Sequence, residues 1–205
     1  LLPAGFHGVS SKMKPDPYDT KMAKKLMADA GYPNGFKMTI HGPNDRYIND
    51  AKIAEALAQM LNRVGIDASV ETMPKAVYFK RASRGGPNKS PEFSFMLLGW
   101  GAGSGEASSP LKALLHTYDK SKGMGAANRG RHTDAKVDAL IQKALATVDA
   151  DARGKLLAEA TEKAVGENYG VIPMHYQVNT WAAKKGYSYL PRTDERTIVT
   201  GLSKN

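Results

Sequence analysis

The residues best placed to do chemistry follow an apolar run at positions 93–98. The next seven residues, 99–105, hold four glycines and Trp100, and Glu106 follows directly. A Ser-Ser-Pro sequence at 108–110 then carries the signature of a helix start. Open α/β sheets place their ligands where a strand ends in a loop that leads into a helix N-terminus. This segment is therefore the first candidate for a binding or catalytic surface.

The glycine spacing in this segment excludes several known motifs. The dinucleotide fingerprint needs a third glycine, and its position falls on Ser104 when counted from Gly99 and on Glu106 when counted from Gly101. No Gly-Lys-Ser/Thr follows, as a Walker motif requires. No Gly-x-Ser-x-Gly elbow surrounds Ser104 or Ser108. The glycines instead indicate a backbone that turns sharply or comes close to a ligand.

Ligand binding is the chemistry that these residue types favour, although each has a structural alternative. Trp100 is either a flat apolar wall for a ligand or a core aromatic that covers the strand end. Backbone N–H groups at Ser108 would donate to a carboxylate or phosphate, but plain helix capping is the favoured explanation when this signal is taken alone. The basic segment at 128–131 pairs with an anionic group or is a solvated loop. The candidate ligand-binding residues are Trp100, Gly101, Ala102, Gly103, Ser104, Glu106, Ser108, Asn128, Arg129 and Arg131.

Catalysis and metal binding have no positive support in the sequence. There are no cysteines, which removes thiolate zinc sites and a cysteine nucleophile. The five histidines never pair at the short spacing of a helical metal site. No Ser-His-Asp order is visible. We therefore predict no catalytic residues, no metal site and no cofactor.

The hydrophobic periodicity of the first half predicts the order β-α-β-α-β after an irregular start. The predicted elements are a helix from the N-cap Asp19 to Ala30, a strand at 36–40, a loop at 41–45, a helix at 49–64, a strand at 66–70, a helix at 74–83, a loop at 85–91 and a strand at 93–98. Strand–helix–strand units cross over right-handed, which makes the strands parallel. The loops at 41–45 and 100–109 then open at one edge of the sheet.

The second half is predicted to hold three helices, together with loops and one strand. A short helix follows Pro110, a glycine-rich loop covers 119–132, and either Thr133 or Asp134 caps the next helix. Another helix starts at 149–151. An edge or broken strand is predicted at 171–178, because Pro173 cannot donate to a sheet ladder. The tail from Gly186 is polar and has no clear period.

Composition is that of an ordinary globular chain, with 205 residues, 41% hydrophobic and 24% charged. The net charge of +9 raises a nucleic-acid partner as an alternative. The basic residues are scattered rather than clustered, which favours solvated surface lysines. No apolar run approaches the roughly 20 residues of a membrane span. The start at Leu1 lacks Met and a signal peptide, so we expect the chain to come from the middle of a longer protein.

Five segments carry a resemblance to a known family. They read YDTKMAKKLMADAGYPNGF at 18–36, LLGWG at 97–101, NRGRHTDAKVDALI at 128–141, TVDADAR at 147–153 and VIPMHY at 171–176. In this order, they resemble the C-terminal part of the family 5 extracellular solute-binding proteins. This is the dipeptide, oligopeptide and nickel-binding class that serves ABC importers. The first segment is very specific, and the five together span nearly the whole chain.

The resemblance implies a fold and an organisation. The fold class would be α/β, a periplasmic-binding-protein-like lobe with a mainly parallel sheet flanked by helices, as a fragment of a two-lobed protein. Residues 1–18 would form an irregular interlobe segment and 19–167 the ligand-binding lobe. Residues 168–205 would supply returning strands and a tail toward a missing N-terminal lobe. The ligand would be gripped between lobes that close by a hinge motion.

The resemblance also implies a function. The chain would belong to the substrate-binding component of an ABC transporter, which captures a short peptide or similar small polar solute and is not an enzyme. Its partners would be that ligand, membrane permease subunits and the missing lobe, but no nucleic acid. The protein would be a monomer in the periplasm or the extracellular cell envelope. The alternatives are a small anion-binding α/β enzyme and a basic nucleic-acid-binding domain.

This sequence departs from the family at one informative position. Peptide binders of the family commonly carry an aspartate shortly after the Gly-Trp pair, where it binds the α-amino group of the ligand. That position falls on Gly103 here, and the nearest acid is Glu106. A charge-paired peptide N-terminus would therefore require Glu106 to take the role. Arg129 and Arg131 favour a ligand with an anionic end.

Overall fold

The computed structural model describes residues 1–83, 92–192, 194 and 196–205. The loop predicted at 85–91 lies outside them. Contacts divide the chain into two compact units. One is the continuous segment Lys14–Gly99, and the other joins Leu1–Met13 to Trp100–Asn205. This division differs from the boundaries predicted after residues 18 and 167, which stay predictions about a complete protein.

The continuous unit, Lys14–Gly99, has the predicted β-α-β-α-β order behind a leading helix. Its elements are α1 (Thr20–Asp29), β1 (Lys37–Pro43), α2 (Asp50–Arg63), β2 (Asp67–Met73), α3 (Lys75–Ala82) and β3 (Phe95–Met96). The strands lie in the order β2-β1-β3, and both pairings are parallel. The α/β class and the parallel sheet predicted from the sequence are therefore confirmed.

Local sequence signals determine where α1 begins and how α2 packs on the sheet. Asp19 caps α1, because its carboxylate accepts hydrogen bonds from the backbone N–H groups of Lys21 and Met22, each at 2.9 Å. The small side chains of Ala54 and Ala58 bring α2 close to the fully buried Ile40 of β1. Apolar burial of this kind is the main force that holds a helix on a sheet.

Strand β1 is longer than predicted. It runs through Pro43, and its last three residues pair in register with 71–73 of β2. The predicted loop at 41–45 therefore begins only at Asn44, whose N–H still donates to the carbonyl of Met73 at 3.0 Å. Pro43 fits within the sheet because its nitrogen carries no hydrogen, so no unpaired N–H is left at this position.

Strand β3 is shorter than the predicted 93–98. Only Phe95 and Met96 pair with β1, opposite Ile40 and His41. The N–H of Leu97 still donates to the carbonyl of His41 in β1 at 2.8 Å. Its own carbonyl accepts a hydrogen bond of 2.5 Å from the buried hydroxyl of Tyr78, so α3 lies beside it as well. The apolar character of the run comes from burial against α3 as well as from the sheet.

The second unit contains the three helices predicted for it. Its elements are α4 (Ser108–Pro110), which continues as a π-helical turn (Leu111–Leu115), α5 (Ala135–Ala146), α6 (Ala150–Thr161), which continues as a second π-helical segment (Glu162–Glu167), β4 (Tyr187–Tyr189), a 3-10 turn (Val199–Gly201) and β5 (Leu202–Lys204). Leu111, Leu115, Ile141 and Leu157 are completely buried and form its core. Asp134 and Asp149 cap α5 and α6 through their side chains.

The C-terminal region corrects one prediction. Residues 171–178 do not form the predicted strand, and most of them are exposed. A strand forms instead within the segment predicted to lack periodicity, where β4 pairs with β5 in antiparallel fashion. Sheet pairing needs a partner strand, and the apolar residues of 171–178 have none among the described residues. No helix in the described parts of the chain has the length and apolar character to cross a membrane.

Candidate functional site

The predicted loop at 100–109 is open at its tip, and α4 begins within it at Ser108. Trp100 is 40% exposed, and Gly101, Gly103 and Ser104 are exposed, whereas Ala102 is buried. A Cβ atom built on Gly101 or Gly103 would meet no atom within 4 Å. Only Gly105 adopts a left-handed backbone, with φ of +72°. The glycines at 101 and 103 therefore leave free space beside the backbone, as a surface that contacts a ligand requires.

The C-terminal end of the loop is fixed by an ion pair that the sequence did not reveal. Both oxygens of Glu106 accept from the guanidinium of Arg153 in α6, with Nε to Oε2 at 2.7 Å and Nη2 to Oε1 at 2.5 Å. The two side chains are only 17% and 24% exposed. This bidentate bond holds the pKa of the Glu106 carboxyl below its usual value. Glu106 therefore stays ionised and serves first to anchor the loop.

Ser108 also contributes to the anchor. Its hydroxyl donates to Glu106 and the residue is buried, so its side chain does not cap α4. The N-cap is Ala107, which makes no side-chain capping bond. The simple capping role weighed for Ser108 is therefore wrong, because the hydroxyl meets a carboxylate two residues earlier.

The N-terminal segment holds the same end of the loop. The N–H of His7 donates to the carbonyl of Gly105 at 2.9 Å, and the carbonyl of His7 accepts from the N–H of Ala107 at 3.0 Å. The segment crosses α6 at Gly154, where an added Cβ would lie 2.9 Å from the His7 ring. The loop is thus held by α6 on one side and by the first residues of the chain on the other.

The basic segment at 128–131 is held against a different part of the unit. The amide of Asn128 donates to the carbonyls of His116 and His132 at 3.0 and 2.7 Å, and its oxygen accepts from the N–H of His132 at 2.9 Å. The side chain of Asn128 therefore stabilises the loop that contains it, through bonds to backbone groups. Arg129 is half-buried, and Arg131 is exposed with a left-handed φ of +54°. A ligand-binding role for these three residues stays a prediction.

A cavity of about 430 Å³ lies beside the glycine loop. Its walls are Ala102, Gly103, Ser104, Gly105, Pro191, Arg192 and Asp194. The last three residues belong to the connection between β4 and β5, which approaches the loop from the C-terminal region. The sequence analysis did not identify these three residues. Their contact with the glycine loop joins positions about 90 residues apart, and no local sequence pattern predicts such a contact.

Arg192 and Asp194 form an ion pair on the wall of this cavity. The Nε of Arg192 donates to Oδ1 of Asp194 at 2.8 Å, and its Nη2 donates to Oδ2. The bond to Arg192 is the main reason why the pKa of Asp194 is lowered to about 2. Both groups are therefore charged at neutral pH.

A second cavity, of about 620 Å³, lies within the C-terminal region. Apolar and aromatic side chains line most of it, including Trp181, Tyr187 and Tyr189. The indole N–H of Trp181 donates to the hydroxyl of Thr197 at 3.0 Å.

Within the described residues, no group of three or more histidine, aspartate or glutamate side chains is arranged to hold a metal ion.

The fold and the loop define a class of protein, the lobe of a two-lobed periplasmic binding protein. The HbpA2 structure from Haemophilus parasuis matches the whole chain with a TM-score of 0.82 at 25% identity, and the match covers 39% of that protein. Residues 1–122 match the family model described as bacterial extracellular solute-binding proteins, family 5 Middle. The chain belongs to this family.

Two further relatives carry names that describe what they bind. Heme-binding protein A of Haemophilus influenzae is 29% identical over 78% of this chain. The periplasmic binding protein DppA of Helicobacter pylori, solved with the peptide STSA, is 29% identical over 78% of the chain, with a TM-score of 0.67. The chain spans only 28% and 29% of these two proteins.

Proposed function

We propose that this chain forms part of the substrate-binding component of an ABC importer and contacts a short peptide or similar small polar solute. The observation that carries the proposal is the open glycine loop, with an exposed Trp100 and a cavity of about 430 Å³, in a member of a solute-binding family. An indole supplies a flat apolar contact at low entropic cost, and the exposed loop backbone offers polar groups.

The relatives support two ligand classes. The Helicobacter pylori protein holds a peptide, and the Haemophilus influenzae protein is named for heme. Gly103 leaves this chain without an acid at the position where the family resemblance places the anchor for an α-amino group. Glu106 is a poor substitute for it, since Arg153 already balances the charge of its carboxylate and Ser108 also donates to it. We therefore propose that contacts other than an amine–carboxylate pair fix the ligand.

The proposal extends to a complete protein with a second lobe. Ile172, Met174, Tyr176 and Val178 alternate along the chain and are between 42% and 81% exposed. Such a period-two apolar face is typical of a strand that packs against a partner. It supports the prediction that 168–205 returns toward an N-terminal lobe. Docking on permease subunits, a periplasmic or cell-envelope location and a monomeric state complete the proposal.

A binding role rather than catalysis is supported by the chemistry of the one serine–carboxylate pair in the loop. A general base needs a pKa near the working pH. The bond from Arg153 moves the pKa of Glu106 in the opposite direction. Ser108 is only 8% exposed, which shields its hydroxyl from a substrate. The pair is therefore built to hold the loop.

The test is a ligand screen on the full-length protein. Thermal shifts would be measured with free peptides such as Ser-Thr-Ser-Ala, with heme and with uncharged sugars, and titration calorimetry would follow. A member of the first two classes should raise the Tm in a concentration-dependent way.

Two tryptophan variants provide the matched pair for this screen. Trp100→Ala should weaken binding about tenfold or more, whereas Trp181→Ala should leave the affinity unchanged because Trp181 lies in the other cavity. Absence of any ligand, together with turnover of a substrate or salt-dependent binding of DNA, would overturn the proposed function.

A further inference from the structure

The cavity beside the glycine loop has one charged wall, and that wall is built to present a cation. Arg192 is 47% exposed at its side chain, whereas Asp194 is 17% exposed. Both residues line the cavity, and the guanidinium is the more exposed member of the pair. The N–H of Arg196 also donates to Oδ1 of Asp194, at 3.2 Å. The carboxylate thus accepts three hydrogen bonds from its own segment.

The geometry leaves donors available on Arg192. A guanidinium carries five N–H donors in a fixed plane. Two of them, on Nε and Nη2, bond Asp194, so three remain for another acceptor. A bidentate carboxylate beside the group fixes its orientation, which lowers the entropy lost when the remaining donors bind an anion.

The opposite wall lacks negative charge. Gly103, Ser104 and Gly105 contribute backbone and one hydroxyl, and added Cβ atoms at both glycines would meet open space. Glu106, the nearest acid in sequence, is neutralised by Arg153. Among the described residues of the cavity, an anionic group would therefore meet Arg192 and polar groups, and the one carboxylate there, that of Asp194, is already paired with Arg192.

We propose that Arg192 binds a carboxylate group of the ligand in the cavity beside the glycine loop, with Asp194 as its positioning residue. This inference rests on the proposed function and specifies which end of the solute the loop receives. A planar carboxylate matches the fork of a guanidinium, so the pair selects acids over neutral solutes.

The test compares one ligand in two chemical forms on the full-length protein. The tightest ligand of the screen is titrated as the free carboxylate and as its amide or methyl ester. In the wild type, the free acid should bind about 10- to 100-fold more tightly than the neutral form. In Arg192→Gln, this preference should vanish while the neutral form keeps its affinity.

Three variants make the result specific. Arg192→Lys should keep part of the preference, because it retains the charge but not the fork. Asp194→Asn should reduce the preference without abolishing it, as a positioning role requires. Arg63→Gln, an exposed arginine at the end of α2, makes the same charge change and should leave both affinities unaltered.

The outcomes separate the two proposals. A ligand that binds well but carries no carboxylate, or an acid preference that survives in Arg192→Gln, overturns the role of Arg192 and leaves the binding function standing. Failure of every solute to bind the wild-type protein overturns the proposed function itself. Tm values measured without ligand identify any variant that has lost its fold.

Discussion

Glu106 illustrates how a residue that is prominent in sequence can have a role set by a distant partner. Its place after the glycine loop suggested a substitute for the acid that Gly103 lacks. Its carboxylate instead lies against Arg153, 47 positions along the chain. A charge taken largely out of water requires such a partner, because an unpaired buried carboxylate costs several kcal/mol. The pair therefore positions the loop, while the tip stays available.

Glu106→Gln should lower the free energy of unfolding by about 2 kcal/mol, because it leaves the guanidinium of Arg153 with a neutral partner. Denaturant unfolding of the variant and of Glu159→Gln would measure this. Glu159 is an exposed acid of α6, so its loss should cost less than about 0.5 kcal/mol. A variant with unchanged stability and reduced ligand affinity would instead restore the role of ligand anchor to Glu106.

The same pair predicts a pH dependence. Arg153 lowers the pKa of Glu106 in the folded chain below the usual 4.5. A lowered folded-state pKa contributes stability that is present above the unfolded-state pKa and is lost as the pH falls through the folded-state value. The stability difference between wild type and Glu106→Gln should therefore be constant from about pH 6 to 8 and shrink below about 4.5. A difference that widens in acid would contradict this origin.

Gly103 should accept an acidic side chain. Its built Cβ meets no atom within 4 Å, and its φ lies outside the left-handed region, unlike that of Gly105. Gly103→Asp should change the unfolding free energy by less than about 0.5 kcal/mol, whereas Gly105→Asp should cost about 1 kcal/mol in backbone strain. If a ligand amine approaches this point, Gly103→Asp should favour free over N-acetylated peptides in calorimetry. Equal affinities for the two peptide forms would place the amine elsewhere.

At the scale of elements, prediction succeeded where the signal was local. The Asp19 cap, the stripes of α2 and α5 and the alternation of β2 lie within one element each, and the structure confirms them. The parallel direction of the strands followed from crossover handedness. These signals depend on neighbours in sequence, so no tertiary information was required.

Prediction failed where pairing between distant segments decided the outcome. Residues 171–178 look like a strand by composition, but a strand forms only where another edge is available. Tyr187–Tyr189 finds its edge at Leu202–Lys204 through a connection that carries Arg192 and Asp194. Those two cavity residues could not have been identified without knowledge of the β4–β5 pairing. The ion pair between Glu106 and Arg153 was not predicted for the same reason, since it also joins distant segments.

The start of α5 offers a direct test of a capping assignment. The carboxylate of Asp134 accepts from the N–H groups of Lys136 and Val137 at 2.8 and 3.0 Å, and from the amide of Asn168 at 2.9 Å. Asp134→Ala should therefore cost about 1 to 2 kcal/mol in unfolding free energy. Thr133, the other candidate, shares a hydrogen bond with the hydroxyl of Thr117 and none with the backbone of α5, so Thr133→Ala should cost clearly less. Equal losses in urea unfolding would refute the assignment.

At the scale of the molecule, the unit that carries the site is assembled from two ends of the chain. Residues Leu1–Met13 join Trp100–Asn205, while Lys14–Gly99 forms a unit of its own. Several contacts make this joining specific. Ser10 donates to Glu162 at 2.5 Å, and the hydroxyl of Tyr176 donates to the carbonyl of Leu2 at 2.8 Å. The first residues are thus part of the folded unit and hold the base of the glycine loop through His7.

Gly8 tests this assembly because a side chain there would meet α6. Its φ is +76°, and an added Cβ would lie 2.6 Å from the Cβ of Leu157. Gly8→Ala should therefore cost about 2 to 4 kcal/mol through strain and overpacking. Gly5→Ala shares the left-handed backbone, with φ of +98°, but meets no atom within 4 Å, so it should cost only about 1 kcal/mol.

Hydrogen exchange would locate the effect of these two variants. In Gly8→Ala, amide protection should fall in α6 and in the loop at 100–109, because both are held by the N-terminal segment. Protection in β1 and α2 should stay at the wild-type level, since the core around Ile40 belongs to the other unit. An equal loss of protection in both units would mean that the chain opens as one cooperative body. Identical losses in Gly5→Ala and Gly8→Ala would mean that the contact with Leu157 contributes nothing.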